Sequence, residues 1–227
     1  GYIYKIYYQR KRRGRQIMLR ILLLIIGYFI GNIETGYIFG KLNKMDIRNY
    51  GSGNAGATNT LRVLGPKAGL IVFLGDFCKS LIPCLVVRFI FRDNVSLSYV
   101  YMLYIGLGVV LGHNFPFYLG FKGGKGVAST AGIIMALDIR IAAVCLAIFI
   151  VIVAVTRYVS LASIVVMNIF IGMSHMLVKT SYGFTDGTSP MEFRLLVVVI
   201  GLLSIFMHRA NIKRLLSGTE NKIGKKV

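Results

Sequence analysis

Residues 139–157 read IRIAAVCLAIFIVIVAVTR, and from Ile141 to Val155 no polar side chain interrupts the run, which has Arg140 and Arg157 at its ends. A helix of about 18 such residues is long enough to cross the hydrocarbon of a bilayer. Outward from it lie comparable apolar segments at 19–40, 68–91, 98–118, 126–138, 160–179 and 191–208. With 56% hydrophobic residues and a mean hydropathy of +0.69, the chain carries more apolar surface than a soluble domain can bury. The expected fold is all-α, a polytopic transmembrane helix bundle of about seven spans. The segment at 126–138 is short: it reaches only about 20 Å as a helix, so it is expected to be a partial or tilted span that turns at Asp138-Ile139-Arg140. No polar stretch between spans is long enough to fold alone, which leaves one membrane-embedded domain, residues 18–222, and a basic C-terminal tail, residues 223–227.

Residues 1–17 are set apart as a basic leader. Residues 1–20 carry seven Lys or Arg and no acidic residue ahead of and around Met18, and no small-residue cleavage site follows at signal-peptide distance. A mis-called start and an uncleaved leader both fit. The net charge of +19 would suggest nucleic acid in a soluble protein, but these basic residues flank apolar spans, where anionic lipid and topology account for them. Membrane lipid is the expected surface partner, and no nucleic acid. Cys78, Cys84 and Cys145 lie inside apolar runs without CxxC spacing, so they read as small buried hydrophobes, and no metal or cofactor is expected.

Three polar, glycine-rich segments interrupt the spans: Gly51 to Asn59, Gly112-His113-Asn114 through Gly123-Gly124-Lys125-Gly126, and His208-Arg209-Ala210-Asn211. Irregular backbone at membrane depth is tolerated only where protein or a water-filled cavity satisfies it, so these segments locate a site. With seven crossings all three fall on one face. Setting aside Lys79 and the leader, whose basic residues would sit on the opposite face against the rule, about 14 Lys and Arg flank the spans on that face and about five on the other, which makes it cytoplasmic by the positive-inside rule. GSGNAG at 51–56 satisfies GxGxxG but lacks a flanking strand, and Gly124-Lys125-Gly126 lacks the Ser or Thr of a P-loop, so neither is a nucleotide fold. What remains is an anion-binding expectation, in which Gly53, Asn54, Gly123, Gly124 and Gly126 free backbone N–H groups as a nest and Lys122 and Lys125 add charge.

The run Asn49 to Asn59 with Leu61-Arg62-Val63-Leu64-Gly65, the pair Gly112–Pro116 and Phe121–Ala128, and His208–Glu220 together resemble the three signatures of the PlsY family, bacterial membrane glycerol-3-phosphate acyltransferases that use acyl phosphate; Arg157–Ser163 matches as well. The resemblance covers about residues 18–222; the leader and the polar Tyr182–Pro190 loop fall outside the signatures. It implies transfer of an acyl group from acyl phosphate to the 1-hydroxyl of glycerol 3-phosphate, in the bacterial inner membrane. It also implies that Ser52, Arg62, Lys125, Ser163, His208 and Asn211 bind glycerol 3-phosphate, with catalysis assigned to His208, Asn211, Lys125 and Ser52. The chemistry agrees. Arg62 offers a two-toothed fork for phosphate, Lys125 a point charge, and Ser52 and Ser163 short hydroxyls, while Asn211 is expected to orient the acyl phosphate or the attacking hydroxyl. With no carboxylate in the first two segments, a substrate phosphate oxygen is expected to take the hydroxyl proton.

Plainer readings stand beside these. His113 stays among the candidate substrate-binding residues, yet a helix-terminating turn before Asn114-Phe115-Pro116 needs the same side chains, and that role is favoured. Asp76 and Lys79 read as an internal ion pair, Glu34 as buried against a polar neighbour, His175 as a packed residue, and Gly27, Gly31, Gly36 and Gly40 as one close-packing seam. A transporter or flippase for a phosphorylated metabolite is the alternative function, and a lipid-binding scaffold a weaker one. A monomer is expected.

Overall fold

The structure, a computed structural model, describes residues 2–184 and 190–224, with side chains from residue 14 onward. Among the described residues it is helical throughout its regular elements: α1 (Tyr2–Gly31), α2 (Thr35–Leu42), α3 (Ala57–Leu64), α4 (Pro66–Ile90), α5 (Val95–Asn114), α6 (Val127–Leu137), α7 (Ile139–Thr156), α8 (Val159–Ser181), α9 (Met191–Met207) and α10 (Arg209–Leu216). Five segments are long and apolar enough to cross a membrane, and α9 with α10, bent by 56°, makes a sixth. The short apolar α6 accounts for the seventh apolar segment; its 11 residues reach about 16 Å. Residues 2–17 continue the helix of the first span without a break. Part of the Tyr182–Pro190 loop, and residues 225–227 of the tail, lie outside the described residues.

Each break has a local cause. Gly65 at φ 88° separates α3 from α4, which then starts on Pro66, a residue suited to a first helical position because its missing N–H would have no partner there. Asn94 caps α5 through Leu97 N, and Asp138 caps α7 through Arg140 N, so the turn at Asp138 ends α6 and starts α7 as the sequence suggests. Arg157 ends α7 at φ 63°, and its backbone carbonyl and Nε are both bonded to Ile223, which pins the segment after α10 against the α7–α8 corner.

Helix α5 is the central element, buried along most of its length, with α1, α4, α6 and α9 against it; α7 sits outside and presents most of its apolar surface outward. The α1–α5 pair approaches at backbone distance. A Cβ added at Gly27 or Gly31 would stand 2.2 Å from the carbonyl oxygen of Ile105 or Val109, and one added at Gly108 or Gly112 would stand 2.2 or 2.1 Å from those of Leu24 or Tyr28. Close approach of this kind is what small residues allow inside a membrane, where apolar burial drives helix association weakly. The seam expected from sequence is therefore shorter: Gly36 and Gly40 belong to α2 and pack instead on the loops at Ala55 and at Met45–Ile47.

Gly31→Val and Gly108→Val should each cost about 3 kcal/mol or more, since the obstacle is backbone and cannot rotate away. Gly172→Ala in α8, where nothing lies within 4 Å of an added Cβ, should be neutral or stabilising. Thermal unfolding in detergent checks both; equal midpoints for the seam and the control variants would disprove the packing assignment.

Candidate active site

The three polar segments meet at one end of the bundle around a cavity of about 360 Å³. Its walls include Ser52, Asn54, Arg62, Lys125, Gly126, Ser163, His208 and Asn211, so most of the residues singled out in the sequence are brought together. His113 reaches the wall too, although it is only 2% exposed. Gly123 and Gly124 stand behind it, and Gly53 and Lys122 line a different depression, with Arg48, Asn49, Leu119 and Gly120. A shared role for Gly53 and Lys122 in the cavity is thus not what the geometry gives.

The first loop is organised by a residue the sequence reading passed over. Asn59, 2% exposed, accepts from Ser52 N at 2.7 Å and Ser52 Oγ at 3.1 Å, while its Nδ2 faces the carbonyls of Ile47, Tyr50 and Asn54 at 3.1, 3.0 and 2.9 Å. Gly51 sits at φ 61°, and a Cβ there would stand 2.3 Å from Asn59 Oδ1. Gly53 N donates to Tyr50 O, Gly56 N to Asn54 Oδ1, Gly123 N to Asn114 O and Gly124 N to His113 O. The glycines therefore do not present an open nest: a low-dielectric site demands that loop amides be bonded, and here the protein bonds them itself. The amide groups left to face the cavity lie at the starts of α3 and α6, at Ala57–Thr58 and Gly126–Ala128, where helix geometry leaves N–H groups without internal acceptors and the dipole favours an anion.

Two cations complete this face. Arg62 reaches Asn221 O with one Nη at 3.4 Å, and its Nε is buried without a protein hydrogen-bond partner among the described residues. Its pKa is lowered by burial, with Glu220 opposing and Arg214 assisting. Lys125 is pushed down to about 8, again first by burial; Glu220 opposes this, and Arg214 and Arg62 add to it. Lys125 Nζ donates to Asn211 Oδ1 at 2.7 Å, Asn211 Nδ2 donates to Glu220 Oε1 at 2.8 Å, and the Glu220 carboxylate also accepts from Ser160 Oγ at 3.0 Å and Arg214 Nε at 2.8 Å. Each end of the Asn211 amide thus makes one protein bond, which fixes the side chain beside Lys125 and leaves one N–H and one oxygen lone pair on the cavity wall. Glu220, 8% exposed, is the second residue missed in the sequence; its signal was a lone acidic residue in a strongly basic tail.

His208 is 3% exposed, and its Nδ1 lies 2.8 Å from Ser204 O. A carbonyl only accepts, so Nδ1 carries the proton and the neutral ring keeps its lone pair on Nε2. Ser163 Oγ donates to Val159 O at 2.8 Å, within its own helix. The cavity also has an apolar side, formed by Leu70 and Phe73 of α4 and by Phe149 and Val153 of α7; Leu70 is 56% and Phe73 38% exposed on the outer surface of the bundle.

Residues 21–218 match the family model described as glycerol-3-phosphate acyltransferase. A glycerol-3-phosphate acyltransferase of Clostridioides difficile is 43% identical over 221 residues, covering 93% of this chain and 98% of the relative. One from Aquifex aeolicus is 40% identical over 206 residues, covering 90% and 100%. Among solved structures, the crystal structure of PlsY, an integral membrane glycerol 3-phosphate acyltransferase, in its glycerol 3-phosphate form shares 38% identity at a TM-score of 0.78, covering 90% of this chain and 96% of that one. Its lysophosphatidic acid form gives a TM-score of 0.75. With signatures, fold and relatives in agreement over nine-tenths of its length, this chain belongs to the glycerol-3-phosphate acyltransferase family.

Proposed function

We propose that this cavity passes the acyl group of an acyl phosphate to the 1-hydroxyl of glycerol 3-phosphate, giving lysophosphatidic acid and inorganic phosphate, the first step of bacterial phospholipid synthesis. The observation that carries the reading is one cavity that joins two cations, Arg62 and Lys125, to an apolar side open at the lipid-facing surface. A phosphate and a fatty chain are the two ends of both the acyl donor and the product. The crystallised relative's glycerol 3-phosphate and lysophosphatidic acid forms hold a substrate and a product of this reaction.

In the proposed step the hydroxyl oxygen forms a bond to the acyl carbon, the bond from that carbon to the phosphate oxygen breaks, and the hydroxyl proton ends on a phosphate oxygen. Acyl phosphate is already activated, so the protein's contribution is positioning and stabilisation of the departing charge. Arg62, whose Nε has no partner among the described residues, and Lys125, held by Asn211, supply that charge beside the starts of α3 and α6. Ser52 and Ser163 border the same space, their hydroxyls donating to the protein and leaving oxygen lone pairs to accept from the substrate. The excess of Lys and Arg on this face supports an active site on the cytoplasmic side of the inner membrane. All the residues involved lie in one chain, which supports a monomer as the working unit. A second reading has one observation in its favour: the Nε2 lone pair left by the Ser204 bond makes His208 able to take the proton itself.

Purified protein in detergent should form lysophosphatidic acid from palmitoyl phosphate and glycerol 3-phosphate, and none from palmitoyl-CoA. Comparable rates with both donors would refute the assignment.

Arg62→Ala should lower kcat/KM at least about tenfold, the loss of a charged hydrogen bond worth about 1.5–3 kcal/mol, and Arg62→Lys should restore only part of it. Lys125 makes the pH dependence specific. A lysine depressed to about 8 is charged below that pH and neutral above it, so KM for glycerol 3-phosphate should rise as pH climbs through about 8. Lys125→Arg should abolish that limb within the measurable range, and an unchanged profile would show that the limb belongs to another group.

His208→Gln separates the two proton acceptors. Measurable turnover supports the substrate phosphate; abolished turnover with normal glycerol 3-phosphate binding supports His208.

A further inference from the structure

Behind the cavity, four ionisable side chains that the reaction above does not use are packed together inside the bundle. Glu34 follows the break between α1 and α2, Asp76 and Lys79 lie one turn apart on α4, and His113 is on the last turn of α5. Their side chains are 0%, 1%, 6% and 2% exposed. Lys79 Nζ lies 2.9 Å from Asp76 Oδ1, 2.7 Å from the backbone carbonyl of Ile33 and 3.8 Å from Glu34 Oε1. Asp76 Oδ1 also accepts from Thr35 Oγ1 at 3.0 Å. His113 Nδ1 stands 2.9 Å from Lys79 Nζ, whose ammonium can only donate, so Nδ1 accepts; Glu34 Oε1 lies at the same distance, but both Glu34 oxygens are buried without a hydrogen-bond partner among the described residues.

The cost of burying four such groups argues for a role beyond filling space, since an apolar set of equal volume would be no less stable. What the quartet touches on its other side shows the role. The Nε2 side of the His113 imidazole abuts the second glycine-rich loop: a Cβ on Gly124 would stand 1.9 Å from His113 Nε2 and 2.4 Å from its Cε1, and one on Gly123 would stand 2.0 Å from the His113 carbonyl oxygen. That carbonyl accepts from Gly124 N at 3.0 Å, and Gly123 O accepts from Asn54 Nδ2 of the first loop at 3.1 Å. The residue after Gly124 is Lys125. Asp76 and His113 form part of the cavity wall, so the quartet stands directly behind the cation that faces the substrate.

We infer that Glu34, Asp76, Lys79 and His113 form a positioning unit for Lys125: Asp76 and Glu34 hold Lys79, Lys79 fixes the orientation of the His113 ring, and the Nε2 side of the ring is the stop against which Gly124 rests, which sets how far Lys125 reaches into the cavity. These are positioning residues, acting on the substrate through the loop. The unit links four separate pieces of chain, the α1–α2 break, α4, the end of α5 and the loop before α6. The inference rests on the acyltransferase reading for its activity measurements and carries one readout that does not need turnover.

The test uses the full chain in detergent and two shape-conserving variants. Glu34→Gln removes one charge and leaves Lys79 paired with Asp76. His113→Asn can place its amide oxygen near the position of Nδ1 and so keep the bond from Lys79, but deletes the Nε2 side that supports Gly124. Both should lower kcat/KM for glycerol 3-phosphate about ten- to a hundredfold in folded protein, as expected when a reacting group is displaced by about 1 Å. In both, inorganic phosphate should protect Lys125 from an amine-reactive reagent less well than in the wild type, measured by peptide mass spectrometry. A purely structural role would lower the yield of folded protein and leave kcat/KM and phosphate protection of that fraction unchanged. That outcome overturns the inference, and so does failure of both variants to fold. If wild-type protein makes no lysophosphatidic acid, the acyltransferase reading fails, and the phosphate-protection arm alone decides the positioning role.

Discussion

Every amide and carbonyl on the cavity side of this bundle has to be bonded within the protein or face the cavity, because lipid offers no partner. That constraint shapes the site more than the glycines do. Asn59 gathers the first loop by bonding Ser52 and three backbone carbonyls, and the carbonyls of His113 and Asn114 take up Gly124 and Gly123. With the loops closed on themselves, the anion-binding capacity passes to the starts of α3 and α6 and to Arg62 and Lys125. The glycines contribute mainly by what they lack. At Gly51 and Gly124 a Cβ would collide with Asn59 and His113, the two side chains that hold the loops in place.

The apolar runs were long enough, and their ends charged enough, for the helical spans to be legible from residue types alone; the boundaries of α4, α7 and α9 fall within about three residues of the expected ones. The first span was less legible, because the break at Asn32–Glu34 is held by distant groups. Lys79 bonds Ile33 O, and Tyr118 OH bonds Asn32 O at 2.8 Å. GSGNAG resembles a dinucleotide loop on paper, and only its surroundings, a helical turn before it and α3 after it, exclude that use. The convergence of Ser52, Arg62, Lys125, Ser163, His208 and Asn211 on one cavity was legible through signature resemblance, not through periodicity. The roles of Asn59 and Glu220 were not legible, since each acts by hydrogen bonds whose partners are fixed only by packing.

The charged side chains divide by environment. Arg20 and Glu192 pair at 2.5 Å, with Tyr104 OH on the same carboxylate at 2.9 Å, and so tie α1 to α9 and α5. Arg88 bonds Tyr99 OH at 2.8 Å as well as the Ala136 carbonyl, which ties α4 to α5 and to the end of α6. Such part-buried polar links have directional geometry, which selects one arrangement of helices where apolar surfaces alone would allow several. The α1–α5 glycine seam works in the same direction by allowing only one depth of approach.

The segment after α10 gives the molecule an order of assembly. Glu220, which anchors Asn211, and Ile223, which clasps Arg157, are both part of the cavity wall and come after every span in the sequence. During synthesis the spans therefore enter the membrane while the pocket still lacks a side. Asn211, the partner of Lys125, gains its own anchor at Glu220 only once the residues beyond Leu216 have folded back. Closing that side of the cavity is thus the last step the chain order allows, and it is made by a few residues that follow the last span.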